Sequence, residues 1–544
     1  MSRRQGLKSW TVVMVMLAVG LAWHPAGAAA SEDEAQAPGR TMAQQATKHQ
    51  AMWTTTDHSK HAALQKAFSN GNQITEACLS CHSEAAEQFK KTIHWTWIGD
   101  TIEGGKQLGK AGDSLNNFCL STNKGADKKC SSCHPGWNGK AEGINCLNCH
   151  SQKKINWSEA FEDYNAFADS DDPDEQELAW EIQKEIQTAA QSITRPTRQN
   201  CGECHFKGGG GDGVKHGDLD TSLTKPNKAL DVHMGVDGQN FQCTRCHTTV
   251  KHQVAGRIYT KPAYSERKSL IQDDLTAKIT CESCHSSTPH EKGHKANDHT
   301  DKVACQSCHI PEFARVLPTK LYWDWSKAGK LKDGKPYKEK GPTGTIDYMS
   351  IKGEMRWGTH VKPEYDWFNG AMKTMTVKDT IDPSQVVAVT HPVGDPKDPN
   401  SRIFPFKIHR GNQPYDKINK NLLAPLLSGP DGYWTTFDWQ RALSKGMAAM
   451  EIPYSGEFDF VHSTYYFPTT HMVAPKDNVV ACNECHVREK GRLADITGVY
   501  MPGRDRINVL DTLGWVAVLG ALLGVCIHGL GRIFTRSTNG RKED

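Results

Sequence analysis

Two long uncharged segments lie near the ends of the chain, and the sequence between them is mixed in polarity. Residues 9–22 carry no charge; Arg3 and Arg4 precede them and the small residues 26–30 follow. This order of basic, apolar and small residues is typical of a secretory signal peptide, and the apolar run is too short to span a bilayer. We therefore predict a signal peptide over residues 1–30.

The second uncharged segment, residues 512–531, has the length of a helix that spans a bilayer. It has no polar stripe, which favours a transmembrane anchor over residues 508–534 rather than a buried core helix. Basic residues favour the cytoplasmic side, so we predict a cytoplasmic tail over residues 535–544. Gly520 and Gly524 form a GxxxG pair, which is typical of membrane helices that associate. The pair is therefore compatible with a homo-oligomer. The basic residues after the segment are Arg532, Arg536, Arg541 and Lys542.

Between these segments the pattern predicts few regular elements. Residues 83–97 have a helical pattern, and residues 174–191 predict a polar helix with an acidic start. Residues 310–481 contain no cysteine and mix aromatic residues with many prolines and glycines. The expected fold is mostly α with extensive irregular structure. Its predicted parts are a domain at 31–310 that contains most of the cysteines, an irregular wrapping domain at 311–490 and a linker at 491–507.

Composition adds a constraint on the core. The chain has 544 residues, but only 37% are hydrophobic and the mean hydropathy is −0.61, which is low for a core of that size. A formal net charge of +3 gives no reason to expect nucleic acid as a partner. Eighteen cysteines and 25 histidines are the unusual feature.

Sixteen of the cysteines fall in eight copies of the pattern Cys-x-x-Cys-His, which is the attachment site of c-type haem. Two thiols three residues apart reach the two vinyl groups of one porphyrin, and the next imidazole lies under the iron. Zinc or disulfide sites do not require a histidine after every pair. We predict eight covalently attached haem c groups whose apolar discs fill the core. Sites 1 to 8 are Cys78-Cys81-His82, Cys130-Cys133-His134, Cys146-Cys149-His150, Cys201-Cys204-His205, Cys243-Cys246-His247, Cys281-Cys284-His285, Cys305-Cys308-His309 and Cys482-Cys485-His486.

Each motif histidine is a predicted proximal iron ligand. A haem that only transfers electrons takes a second strong ligand, whereas a haem that does chemistry keeps a position for substrate. The remaining histidines are numerous enough to serve all eight sites, so their number alone does not reveal an enzyme. The candidate distal ligands are His58, His94, His216, His233, His252, His290, His299 and His471. Haem attachment after export predicts a location on the periplasmic side of the bacterial inner membrane, with one pass and a cytoplasmic C-terminus.

Several further segments occur together with the eight motifs and the long gap before the last of them. They are Asn116-Asn-Phe-Cys119, Val214-Lys-His-Gly-Asp-Leu-Asp220, Trp323-Asp-Trp325, Gln413-Pro-Tyr-Asp416 and His471-Met-Val-Ala-Pro475. In this combination the chain resembles the octahaem tetrathionate reductase family over nearly all of its predicted periplasmic part. The resemblance implies one catalytic haem at site 2 with a lysine as iron ligand, and seven bis-histidine haems that feed it. It also implies reduction of small inorganic oxyanions, namely tetrathionate and nitrite, and of hydroxylamine.

The resemblance also implies a catalytic set of Lys215, Cys119 and Asp218. Lys215 matches the lysine ligand, with Lys207 and Lys153 as rivals. Amines bind iron only when deprotonated, a state that burial favours. Cys119 would lie near the site 2 haem, and Asp218 or Asp220 would supply a proton or hold a ligand.

Other functions stay open from the sequence. A non-catalytic electron conduit, with a quinol-linked or cytochrome redox partner, would use the same array and anchor. Hydroxylamine-oxidising enzymes also carry eight such motifs, but they have a helical tail after the last motif with a tyrosine cross-linked to the catalytic haem. Only Tyr500 follows His486 here.

Overall fold

The computed structural model describes residues 41–42, 56–115, 132–137, 143–256 and 279–539, with side chains up to residue 535. The predicted signal peptide, Cys119, Cys130 and the end of the predicted tail lie outside the described residues. For these predictions the structure gives no outcome.

Short helices dominate the described part of residues 56–310. The predicted helix at 83–97 is divided in two near Thr92, and its second part ends at Trp97, whose φ of 55° is left-handed. The predicted polar helix at 174–191 is present, with Asp172 as its N-cap and a proline at its first position. The helices are α1 Gly71–Leu79, α2 Ala85–Lys90, α3 Ile93–Thr96, α4 Leu147–His150, α5 Trp157–Phe167, α6 Pro173–Gln191, α7 Arg198–His205, α8 Glu282–His285 and α9 Cys305–His309.

A nine-stranded sheet occupies most of residues 319–468, where the sequence predicts irregular structure, and this corrects the expected wrapping domain. In the order of hydrogen-bonded neighbours its strands are Ala371–Thr374, Val387–Val393, Phe458–Pro468, Arg402–Asp416, Thr319–Asp324, Gly353–Gly358, Ile346–Met349 and Lys338–Lys340, and Glu364–Phe368 also pairs with Arg402–Asp416. Of the described residues, 33% are helical and 19% lie in strands, so the fold is mixed rather than mostly α. These strands are β5 Thr319–Asp324, β8 Lys338–Lys340, β9 Ile346–Met349, β10 Gly353–Gly358, β11 Glu364–Phe368, β12 Ala371–Thr374, β13 Val387–Val393, β14 Arg402–Asp416 and β15 Phe458–Pro468. Small two-residue pairs are β1 Thr101–Ile102 with β2 Lys106–Gln107, β3 Thr249–Val250 with β4 Gln253–Val254, and β6 Leu331–Lys332 with β7 Lys335–Pro336.

The long strand β14 explains why the sequence pattern hides the sheet. A strand with one face on the core and the other in solvent alternates apolar and polar residues, but β14 is buried at most of its positions. Lys407, His409 and Gln413 are each 1% exposed although they are polar. Because polar residues occupy buried positions, the period of two expected for a half-buried strand is lost.

Two helices pack with the sheet and complete its apolar core. These are α10 Tyr433–Thr436 and α11 Trp439–Ala449. Tyr433 stacks on Trp439 with ring centres 4.0 Å apart, and Trp323 stacks on Trp325 at 4.7 Å. The aromatic residues of the cysteine-free region therefore form ordinary core.

The end of the chain returns to the haem array and then leaves it as one long helix. After α12 Cys482–Cys485, residues 491–507, predicted as a linker, are folded: Leu493, Ile496 and Met501 are buried against Trp367 and Ile403. The last helix is α13 Asn508–Asn539. Within the described residues it is the one helix long and apolar enough to cross a membrane, with mean hydropathy 2.0 and none of its apolar window buried.

Candidate functional site

Each fully described attachment motif forms a single helical turn. The amide of His82 donates to the carbonyl of Cys78 over 2.9 Å, and His247 and His486 make the same bond to the first cysteine of their motifs. Residues three and four apart share one helix face, so both thiols and the imidazole lie on the same side. This is the arrangement that covalent haem attachment requires.

Six of the motif histidines lie opposite a second histidine, and all six partners belong to the distal candidates of the sequence analysis. Metal–imidazole nitrogen bonds are about 2 Å long, so two imidazoles on opposite sides of one metal ion have ring centres about 6 Å apart. The observed separations fit that spacing. They are His58–His82 6.4 Å, His94–His205 6.1 Å, His233–His285 6.0 Å, His471–His247 6.4 Å, His290–His309 6.1 Å and His299–His486 5.9 Å.

Hydrogen bonds at the second ring nitrogen fix several of these imidazoles. Metal-binding histidines usually donate their other N–H to a carbonyl or carboxylate. Nδ1 of His247 is 2.9 Å from the carbonyl of Ala255, and Nδ1 of His486 is 2.8 Å from the carbonyl of Pro502. His150 makes the same contact with Thr194 at 3.1 Å. In each case Nε2 remains for iron, so the residues present fit the predicted haems.

Asp218 contacts one of the distal candidates. Its Oδ2 accepts hydrogen bonds from the amides of Thr470 at 2.7 Å and His471 at 3.0 Å, and it lies 3.3 Å from Nδ1 of His471. Burial alone would raise the pKa of Asp218, but the hydrogen bond and charge of His471 lower it to about 2. The same carboxylate raises the pKa of His471 against the effect of burial. The contacts favour a role in holding His471 rather than in proton supply.

Two distal candidates do not face a motif histidine in ring contact within the described residues. His216 packs against the ring of Phe467, with centres 5.3 Å apart. His252 packs against Phe89 at 5.9 Å and lies within electrostatic reach of His150, whose pKa burial lowers. The prediction that His216 and His252 are distal iron ligands stays a prediction.

Site 2 differs from the other sites. The ring of His134 packs between Trp95, at 4.9 Å, and Trp97, at 5.1 Å. Its Nε2 is 2.9 Å from the carbonyl of Trp95, so the ring must turn to present this nitrogen to a metal. Among the described residues, no second imidazole makes ring contact with His134.

Lys110 is within electrostatic reach of Cys133 at site 2. Lys215 is within electrostatic reach of Lys110 and of His205 at the neighbouring site 4. Both lysines line the same cavity as Cys133. Burial, with the nearby charge of Lys110, lowers the pKa of Lys215 to about 8. Lys110 lies over the ring of Trp97, 4.5 Å from its centre. A buried amine of low pKa is a competent metal ligand.

The rival lysines are placed differently. Lys207 is half-exposed and forms an ion pair with Glu203 at 3.5 Å, and Lys153 is exposed. Neither position has the burial that favours a neutral amine.

The loop that carries Lys215 is fixed by strands β5 and β14. Lys407 donates to the carbonyl of Val214 at 3.2 Å, to that of Lys215 at 3.0 Å and to the hydroxyl of Thr319 at 2.6 Å. Gly213 has a φ of +63°, and a Cβ there would lie 2.2 Å from the carbonyl of Pro318. Only glycine permits that approach.

The sites form a connected row. Thiols of different motifs are within hydrogen-bonding reach of each other in four places, and charge interactions between thiols join sites 3 to 4, 5 to 6 and 7 to 8. The order is therefore 1-3-4-5-6-7-8, with site 2 beside site 4. The four close pairs are Cys78–Cys146, Cys133–Cys204, Cys201–Cys243 and Cys281–Cys305.

A continuous cavity of about 2500 Å³ runs along these sites and is lined by cysteines of sites 2 to 7. A pocket for one small ligand measures about 300–1,000 Å³, so this space serves several large groups. The low apolar content of the chain agrees with a core completed by cofactors.

Sequence reasoning missed Lys407, Lys110, Trp95 and Trp97. No local sequence pattern marks these four residues. Their positions near site 2, or near the loop that carries Lys215, arise only from the tertiary fold. Lys407 is 1% exposed, which a single sequence does not reveal.

Comparison with known proteins places the site in context. A family model described as bacterial cytochrome c matches residues 320–489. The crystal structure of octahaem cytochrome c from Shewanella oneidensis is similar, with 36% identity, a TM-score of 0.66, and coverage of 80% of this chain and 94% of that one. An uncharacterised protein from Archaeoglobus fulgidus is 23% identical over 241 residues, which is 36% of this chain and 80% of the relative.

Proposed function

Because this chain belongs to the family of multihaem c-type cytochromes that includes octahaem cytochrome c, we propose that it is an octahaem reductase of small sulfur or nitrogen oxyanions. It acts at site 2, on the periplasmic side of the membrane, and α13 anchors it. Covalently bound haem c supplies one-electron chemistry at each site. Tetrathionate, nitrite and hydroxylamine are the candidate substrates.

The unequal distribution of histidine partners carries this proposal. Six attachment sites have a second imidazole at the spacing of bis-histidine ligation, whereas at site 2 Cys133 shares its cavity with Lys110 and Lys215. Two strong imidazole ligands suit electron transfer, while a different ligand set suits chemistry on a substrate. Site 3 also lacks a second imidazole in ring contact among the described residues, but site 2 is the one of these two sites for which the resemblance implies a lysine ligand, and one site with a different ligand set is expected of a reductase.

The protein residues at site 2 have separate roles in this proposal. Burial lowers the pKa of Lys215 to about 8, so this amine loses its proton to bind iron more readily than a solvated lysine does. Lys110, close to Cys133 and Lys215, adds positive charge that attracts an oxyanion. Cys119 stays a prediction of the resemblance, since it lies outside the described residues.

Electron conduction without catalysis is the second candidate. The connected row of sites and the apolar helix α13 support it as well as they support a reductase. Site 2 lies beside site 4 rather than within the row, and a conduit has no need of such a branch.

Replacement of Lys215 tests the proposal. The variant Lys215→Leu removes the amine. We expect turnover of tetrathionate, nitrite and hydroxylamine to fall about 100-fold, which is the upper end of the range for mutation of a group that tunes a metal site. The spectra of the other haems should be unchanged. Lys207→Leu, which removes an exposed lysine on the same loop, is the matched control and should keep full activity. Equal activity of Lys215→Leu and the control would refute the assignment.

A further inference from the structure

The segment between site 8 and helix α13 is folded onto the site 8 histidine. Nδ1 of His486 is 2.8 Å from the carbonyl of Pro502. Gly503 has a φ of +88°, and a Cβ there would lie 2.8 Å from the carbonyl of His486. The backbone of residues 502–503 therefore packs directly on the site 8 turn.

Arg504 holds this segment in place. Its guanidinium donates to the carbonyls of Leu493 at 2.7 Å, Ile496 at 2.5 Å and Val499 at 2.9 Å. Asp505 accepts from Nε of Arg504 at 2.7 Å and from the amide of Met501 at 2.7 Å. With this many bonds the segment does not act as a flexible linker.

The start of α13 is therefore close to site 8. Asn508 follows Pro502 by six positions, and a fully extended chain of that length spans about 20 Å. Exposed apolar side chains begin at Val509 and Leu510. When α13 is inserted, site 8 must lie within that distance of the membrane surface.

Site 8 is also the end of the row farthest from site 2 along the sequence of contacts. Cys308 of site 7 lies near Cys485 and Cys482, while site 2 joins the row at site 4. Cys482 and His299 are exposed. One end of the row therefore combines solvent access with a short connection to the anchor.

We propose that site 8 is the port at which the protein accepts electrons from a quinol-oxidising partner embedded in the membrane. This inference rests on the proposed anchoring by α13. Oxidation of one quinol to quinone releases two electrons and two protons. The electrons enter the row at site 8 one at a time, and the protons leave to water.

A longer tether tests the port. The full chain is placed in phosphatidylcholine vesicles that contain a viologen with two long alkyl chains, reduced by light, and haem reduction is followed optically without substrate. An insert of about 24 glycine and serine residues between Arg506 and Ile507 lengthens the tether fivefold, and effective concentration falls with the −3/2 power of length, so reduction should slow about tenfold. The same insert after Asn539 is the matched control and should leave the rate unchanged.

The outcomes separate the port from the reductase. Dithionite, a soluble reductant, should reduce all three proteins at one rate, which shows that the insert leaves the haems intact. Equal rates with the membrane-bound viologen would overturn the port, as would recovery of the full chain in the soluble fraction. Turnover of nitrite with a soluble donor is measured separately, and its absence would count against the reductase alone.

Discussion

At the scale of single residues, the Asp218–His471 contact has the clearest consequence. Asp218 is 2% exposed, and its carboxylate lies at Nδ1 of a histidine that faces His247 of site 5. A negative charge on the outer nitrogen of an axial imidazole makes that imidazole a stronger donor and stabilises ferric iron. At the described imidazoles of sites 3 and 8 the corresponding nitrogen lies near a neutral backbone carbonyl.

Removal of this charge should raise the midpoint potential of the site 5 haem. Asp218→Asn keeps an oxygen for the same hydrogen bonds, and we expect the reduction equilibrium to shift about tenfold, or about 59 mV for one electron. Redox titration followed by optical and EPR spectra measures the shift.

Asp231→Asn is the matched control. Asp231 is also 2% exposed, and its carboxylate accepts hydrogen bonds from the backbone amides of His233, Met234 and Val473 rather than from an imidazole ring. This variant should shift the site 5 potential much less than Asp218→Asn does, because the charge of Asp231 acts on His471 without a hydrogen bond to its ring. Equal shifts in both variants would show that the Asp218–His471 contact has no special effect.

At the scale of secondary structure, Lys407 of β14 connects the sheet with the loop that carries Lys215. We expect Lys407→Met to destabilise the protein by about 1–3 kcal/mol, because it leaves buried carbonyls of the loop unsatisfied. It should also alter the ligand-field spectrum of site 2, since the backbone of Lys215 loses its support. Lys338→Met on the exposed strand β8 is the control. An unchanged site 2 spectrum in Lys407→Met would mean that the loop holds its position without the strand.

A second connection joins the β1–β2 pair to the loop after β12. Lys106 and Asp379 form an ion pair at 2.5 Å, each with about a quarter of its side chain exposed. Burial raises the pKa of Asp379, but the hydrogen bonds from Lys106 and Thr376 and the charge of Lys106 together outweigh it, and the net shift is downward from 3.8.

The ion pair predicts a pH-dependent stability difference. Because the folded pKa lies below the unfolded value, the pair stabilises the fold fully above pH 3.8, and the contribution is lost as pH falls below it. Asp379→Asn should cost about 1 kcal/mol near neutral pH and less near pH 3. Thermal melts at both pH values measure the difference. A difference that stays constant or grows on acidification would contradict the ionic origin.

The sequence predicted some elements of the site well and others poorly, for physical reasons. Cys-x-x-Cys-His is local, so the attachment sites were readable, and the comparisons confirm a multihaem c-type cytochrome. His471 and His247 are far apart in sequence, so their approach depends on the tertiary fold. The sheet was missed because buried polar residues such as Lys407 and Gln413 remove the alternation of β14.

At the scale of the whole molecule, the attachment sites form one row with a branch at site 4. One end of this row, site 8, lies close to the start of helix α13. In the proposed scheme, electrons that enter at site 8 pass site 5 before they reach site 2. The orientation of the paired imidazoles differs along it: the ring planes are 80° apart at site 8 and 76° at site 4, but 12° at site 7 and 21° at site 5.

This difference predicts two classes of low-spin ferric spectra, because the angle between axial imidazole planes sets the anisotropy of the iron. Sites 4 and 8 should give strongly anisotropic signals, whereas sites 5 and 7 should give ordinary rhombic ones. His299→Met, which replaces one ligand of site 8, should remove one strongly anisotropic signal and leave the rhombic set intact. Loss of a rhombic signal instead would contradict the assigned geometry.

Low-temperature EPR of the oxidised protein, with and without tetrathionate, nitrite or hydroxylamine, tests the central claim most directly. The account predicts that one haem, at site 2, changes its spin state or ligand field when a substrate is added, while the others keep their low-spin signals. Eight low-spin haems that respond to none of the three compounds would contradict it and establish the electron conduit.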